Sequence, residues 1–266
     1  MWWALWMAGQ AAPAPEVIDD IPRWEREARA LLDGPDACVR VQGKVTLHVS
    51  LFTAGGWLSA GQRRDLVASG TFDGQLDHGT WTRLETTWEP SEGPDRLTPG
   101  RFHPIVGRLL PIPEGEPAPA TKIELGSMSF VLGEGRDEAP GLLDQLLNEI
   151  DAETTASYTR WDDARGALDL FQEVPLDSGG RLVVQTAFPD AGPPTAMDAT
   201  FPPKVKVGGS MLKVALMDGQ LHLRGRMTSL GALPGEEGLS VVVGALGFTA
   251  GFEQRVSYVR AAACGG

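Results

Sequence analysis

The chain has 266 residues, of which 42% are hydrophobic and 22% charged, and its net charge at pH 7 is −12. That length can bury one large β core or two small ones, and the acidic balance, with no basic cluster larger than Arg63-Arg64, argues against a nucleic-acid face or a polybasic membrane patch. The 33 Gly and 20 Pro residues are spread between apolar runs, a pattern of many turns rather than a disordered tail.

Residues 1–14 (MWWALWMAGQAAPA) form a leader of bulky apolar residues followed by Ala11, Ala12 and Ala14. This resembles a signal peptide in its apolar stretch and small-residue cleavage region, although it lacks a basic start. The alternative is an apolar arm that docks on the core. No later window approaches ~18 uninterrupted apolar residues, so no membrane span is expected. The rest, 15–266, reads as a single β-rich domain, with an internal division allowed near 133–152.

Residues 20–32 have the marks of a short helix. Asp20 can cap it, Pro22 suits its first turn and Gly34-Pro35 ends it. Ile21, Trp24, Ala28 and Leu31-Leu32 then share one stripe. Next comes the clearest strand, 39–51, in which Val39, Val41, Val45, Leu47, Val49 and Leu51 alternate with polar residues. A period of two held this long predicts a large curved antiparallel sheet with one face buried. Gly43 interrupts the apolar series and allows a bend or a packed helix there.

Residues 53–65 read as a loop and 66–74 as a strand. A turn at Asp77-His78-Gly79 leads into a strand over 80–89. The segment 89–119, rich in Pro, Gly and Glu, reads as irregular except for an apolar patch at 102–110, and 121–132 as one strand. A second short helix is expected at 140–150, with Leu142, Leu143, Leu146, Leu147 and Ile150 on its buried side. Residues 154–161 and 167–176 form a hairpin around 162–166, and 180–188 is a further strand. The Pro-rich stretch 189–203 reads as a loop. Asp218-Gly219 in 211–227 fits a two-residue type I′ turn, which predicts a tight hairpin. A final pair, 239–249 and 252–261, turns near Gly251. The whole is mainly β: about ten strands in a curved antiparallel sheet or open half-barrel, with two short helices packed on it. This order of elements is similar to that of periplasmic lipoprotein carriers. The likeness implies a carrier of apolar cargo but transfers no residue.

The two cysteines flank the β region. Cys38 opens the first strand and Cys264 follows the last. In an exported protein two cysteines are usually paired. A Cys38–Cys264 disulfide would lay the first and last strands side by side, with Cα atoms about 4.4–6.8 Å apart. The other reading is two free thiols. Pairing would place the protein in the periplasm or outside the cell.

Catalytic signatures are missing from the sequence. The four histidines, His48, His78, His103 and His222, make no zinc-type pair. Gly126-Ser127 and Gly209-Ser210 lack the spacing and the following helix of a hydrolase elbow. The acidic pairs Asp19-Asp20, Asp162-Asp163 and Glu236-Glu237 lack calcium-loop spacing and suit a cap, a turn and a solvated loop. No metal or cofactor is expected, and no enzyme activity.

The aromatics are more suggestive. Trp57 lies in a Gly-rich loop, where it would close over the sheet as a lid, insert into a partner, or anchor the loop on the core. Trp81 and Trp88 are seven apart, which puts them on opposite faces of a continuous strand. Trp57, Trp81, Trp88, Leu146 and Ile150 are therefore the expected contacts of an apolar or lipid-like ligand. The leading reading is an exported, non-enzymatic carrier or binding module. Its alternative is a structural or interaction subunit of a bacterial-type cell envelope assembly, with a protein partner at an exposed edge or patch.

Overall fold

The computed structural model describes residues 38–53, 63–105, 108–109, 120–132, 156–162, 164–165, 167–176, 180–189, 196–202, 206–207, 214–224, 235–245 and 248–264. The leader, Trp57, and both expected helices with Leu146 and Ile150 lie outside the described residues, as does 133–152.

The described elements are all strands. The first three are β1 (Cys38–Thr53), β2 (Arg63–Asp77) and β3 (Thr80–Trp88). Shorter ones follow: β4 (Asp95–Thr98), β5 (Arg108–Leu109), β6 (Thr121–Leu125) and β7 (Met128–Leu132). Then come β8 (Ala156–Asp162), β9 (Ala167–Pro175), β10 (Arg181–Pro189), β11 (Ala196–Phe201) and β12 (Lys206–Val207). The last are β13 (Val214–Arg224), β14 (Glu236–Ala245) and β15 (Phe248–Ala263).

Twelve strands join one sheet in the order β5-β3-β2-β1-β15-β14-β13-β11-β10-β9-β8, with β12 attached to β13. Every pair is antiparallel except the two-residue contact of β3 with β5. The end strands β5 and β8 do not meet among the described residues, so the sheet is open and no closed barrel forms.

At its centre β1 pairs with β15 from Val39↔Ala263 to Thr53↔Phe248. The Cys264 amide donates to the Cys38 carbonyl at 2.9 Å. Beside that bond Cys38 and Cys264 form the expected disulfide, with Cα atoms 5.3 Å apart.

The alternation in β1 buries Val39, Val41, Val45, Val49 and Leu51 on what we call the inner face. Each such side chain contributes roughly 1.5–3 kcal/mol when fully buried. At Gly43 the ladder to β15 slips by one residue, and a Cβ there would collide with the Phe72 ring. The packed group is thus an aromatic ring from the neighbouring strand. The turn at 77–80 has positive φ at both His78 (46°) and Gly79 (73°), the geometry that matches strand twist in a tight hairpin.

A second layer covers part of the inner face. Strands β4, β6 and β7 form a small sheet. Its Leu97, Ile123 and Leu125 pack on Val49, Leu51, Leu66, Ala68 and Ala250.

Several sequence expectations need correction. Asp218-Gly219 is not a turn: β13 runs straight through it. That strand has neighbours on both sides, so its backbone donors and acceptors find partners that a tight turn would forgo. The local irregularity is a register shift between Leu216 and Asp218. The stretch 189–203 contains β11, whose flanking prolines lie outside the strand itself. Residues 121–132 are two strands turning at Gly126-Ser127, with Gly126 at φ 58°. The segment 89–119 contains β4 and β5. Gly251 lies within β15, opposite Ser50 and Val242.

Candidate functional site

The site is built on the inner face of β2 and β3. Along β2 the inward positions read Leu66, Ala68, Gly70, Phe72, Gly74, Leu76, and all are buried. The two glycines are seats for rings. A Cβ on Gly74 would come within 2.7 Å of the Trp81 ring, and one on Gly70 within 2.9 Å of the Trp88 ring. Both tryptophans therefore lie on the same face. The cause is a register shift between Gln75 and Leu76, where the pairing passes from Arg83 to Trp81 and skips Thr82. One extra residue reverses the side-chain parity, so a spacing of seven brings the rings together rather than apart.

Their environments differ. Trp81 is 2% exposed and sits in the core. Phe72 meets Trp81 edge-on at 6.4 Å, Tyr258 edge-on at 5.8 Å, and Phe102 in a tilted contact at 5.0 Å. Such pairs add roughly 0.5–1.5 kcal/mol beyond area burial. Trp88 is only half-buried. It walls a half-open pocket of about 260 Å³, together with Leu84, Thr86, Gly100, Arg101 and Phe102.

The far wall belongs to residues 99–105, a strap laid over the inner face. Five contacts hold it. The Gly100 amide donates to Thr121 Oγ1 at 2.9 Å. Gln254 Nε2 donates to the His103 carbonyl at 2.7 Å. The Ile105 amide donates to Glu237 Oε1 at 2.9 Å. Phe102 packs into the Phe72–Trp81 cluster, and Ile105 into the aliphatic cluster of Val174, Leu182, Val184 and Leu221.

Charge shapes the site from both ends. Glu237 is 1% exposed, so its carboxylate is committed to the interior. The Tyr258 hydroxyl is buried close by and makes no well-formed hydrogen bond. Burial first, and the Glu237 carboxylate second, hold its pKa well above that of an ordinary phenol. At the pocket, burial pushes the Arg101 pKa down.

Of the residues expected from sequence to meet a ligand, the structure places Trp88 at the pocket and Trp81 in the core, while Trp57, Leu146 and Ile150 lie outside the described residues. Sequence reasoning missed Leu84, Thr86, Gly100, Arg101 and Phe102. The apolar patch that begins at Phe102 was the one available signal. Among the described residues no group of three or more His, Cys, Asp or Glu is placed to hold a metal. Asp162 serves its turn, accepting from the Ala164 amide at 3.0 Å and from Arg165 Nε at 2.7 Å. The outer face carries His48, between Asp65 at 3.1 Å and Glu253 at 3.7 Å.

No protein-family model matches the chain, and no curated protein matches it in sequence. Among solved structures it is similar to a LolA superfamily protein, NE2245 from Nitrosomonas europaea, over 94% of this chain and 93% of that one, at 9% identity and a TM-score of 0.27, a likeness too slight to bear on fold or function.

Proposed function

We propose that the protein is an exported, non-enzymatic carrier or binding module for an apolar or lipid-like ligand, working in the periplasm or outside the cell. One observation carries this reading: among the described residues a half-open pocket on the inner face is walled by Leu84, Thr86, Trp88 and Phe102, beside the packed apolar clusters of the sheet. A concave recess lined by apolar side chains with a few polar groups is the usual form of a small-ligand site. At about 260 Å³ the space suits a single short chain rather than a bulky molecule. The disulfide supports the compartment, since such bonds persist where the surroundings are oxidising.

The test is direct. The wild-type protein should enhance the fluorescence of N-phenyl-1-naphthylamine, a neutral apolar dye, and Trp88→Ala should weaken that binding at least tenfold while the fold persists. Protein purified without detergent should carry extractable lipid. No dye binding and no co-purified lipid would move the assignment to an envelope interaction subunit.

A further inference from the structure

Phe102 belongs to two places at once. It lines the half-open pocket with Leu84, Thr86 and Trp88, and it packs into the ring cluster, 5.0 Å from Phe72. Every other described side chain in that cluster stands on β1, β2, β3 or β15. Phe102 is brought there by the strap, so one side chain from outside the sheet divides the open pocket from the ring-lined face beneath. Three backbone groups of the strap, at Gly100, His103 and Ile105, bond to side chains of Thr121, Gln254 and Glu237 and not to a neighbouring strand. Each such tie is given up by turning one side chain, whereas a strand in a ladder must peel away bond by bond. Segments held in this way lie at the low end of the stability range within a protein, from which ligand lids are drawn.

We infer that Phe102 is a built-in occupant of the ligand site: without a ligand it seals the ring cluster, and an entering alkyl chain displaces it by lifting the strap. This deepens the carrier reading and rests on it. Size supports it. A pocket of about 260 Å³ is smaller than the roughly 300–1,000 Å³ of most small-ligand sites. Lifting Phe102 joins that space to the surface it covers on Phe72, and so makes room for a longer chain. The exchange is nearly balanced, because the apolar surface of the ligand replaces that of the phenyl ring on the same partners. Pro99 and Pro104 stiffen the strap on either side of Phe102, so its displacement carries the neighbouring ties with it. A competitor carried by the chain itself lowers the apparent affinity by the fraction of molecules whose site is vacant.

The experiment uses the full chain and N-phenyl-1-naphthylamine. Removing the wall of a fixed pocket weakens binding, whereas removing a competitor strengthens it, so the sign decides. Phe102→Ala should bind the dye about tenfold more tightly than the wild type. Gln254→Ala frees the His103 carbonyl without altering the pocket lining. It should tighten binding roughly two- to tenfold. In the wild type, hydrogen exchange over residues 99–105 should become about tenfold faster when the dye is bound, the reverse of the protection that a ligand ordinarily gives. That measurement needs no substitution, so it decides the matter even where Phe102→Ala fails to fold. Weaker or unchanged dye binding by Phe102→Ala, or slower exchange over 99–105 in the dye complex, would overturn the inference and leave the carrier reading standing. No dye binding by the wild type or by either variant would remove both. Thermal unfolding of each variant checks that the fold is retained.

Discussion

The sheet has two wings that meet at the β1–β15 pair, and they fill their inner faces by different means. The first wing, β2 and β3, packs large rings onto glycines: Phe72 over Gly43, Trp81 over Gly74, Trp88 over Gly70. The second, β9 to β14, packs aliphatic side chains of similar size against one another: Val174, Leu182, Val184, Ala199, Leu221 and Val241, with Phe201. Branched aliphatics interlock and leave little void. Flat rings tile a surface well but end abruptly, and where the Trp88 ring ends, at the rim of the sheet, the pocket begins. Among the described residues the pocket lies at the end of the ring-filled surface.

Four predictions break or sharpen this contrast. The largest effect belongs to the seam between the wings. Reducing Cys38–Cys264, or replacing both by Ala, should destabilise the protein by up to about 5 kcal/mol, the chain-entropy ceiling for a sequence separation of 226. Chemical denaturation with and without reductant measures it. Unchanged midpoints would mean that the β1–β15 ladder holds the wings together unaided.

Leu182→Ala, in the aliphatic wing, should cost about 2–5 kcal/mol, since the side chain is 1% exposed and close-packed neighbours cannot fill the gap. Dye binding should be weakened less by it than by Trp88→Ala, because only the Ile105 end of the strap packs on this cluster. A loss of binding equal to that of Trp88→Ala would show that the two wings do not act separately.

The ring-on-glycine wing should be sensitive in the opposite sense, to addition rather than removal. Gly74→Ala sets a methyl within 2.7 Å of the Trp81 ring and 2.9 Å of the Arg83 carbonyl oxygen. The backbone oxygen cannot swing aside, so a cost of about 1–3 kcal/mol is expected. Equilibrium unfolding should show this loss, with a displaced Trp81 fluorescence maximum. A neutral or stabilising result would mean that the ring seat is loose.

The smallest effect concerns pH. Among the described residues the ring-on-glycine device recurs on the outer face, where the His222 ring covers Gly238. Burial first, then Arg224, lower the His222 pKa below 6.5; Arg255 adds to this, and Asp198 and Glu253 oppose it. The unfolded chain then takes up the proton more readily than the folded one. The stability linked to neutral His222 is fully present above about pH 6.5 and is lost as pH falls below that value. Urea midpoints at pH 7.5 and 5.5 should therefore fall more steeply in the wild type than in His222→Gln. Parallel slopes would count against it.

The first wing was more legible in the sequence than the second, and the reason is local. In β1 one residue in two is apolar apart from Gly43, and the turn at His78-Gly79 carries the chemistry that its geometry demands. In the second wing the local signal misleads. Asp218-Gly219 is good turn chemistry, but β11, β12 and β14 flank the strand and override it. The strand Ala196–Phe201 is hidden by the prolines on either side. The pocket was harder still, because its geometry depends on the bulge at Thr82, which no residue announces. Nor could spacing indicate that 99–105 would cross the sheet. That follows from a buried carboxylate at Glu237 and an amide at Gln254, each more than a hundred residues further along the chain.

The pairing of β1 with β15 has a consequence for how the molecule is assembled. The central ladder of the sheet joins the earliest described strand to the latest, so its closure entropy is set by nearly the whole chain. Hairpins such as β2–β3 and β8–β9 can form as soon as their own residues are available. The middle cannot: one side of β1 stays unpaired until residue 248 and its successors arrive. High contact order of this kind slows folding. It also leaves a long bare strand edge exposed in the interim. A chain made from one end, or threaded through a pore, would thus remain incomplete until its last strand emerged, with two half-formed wings waiting on a common spine.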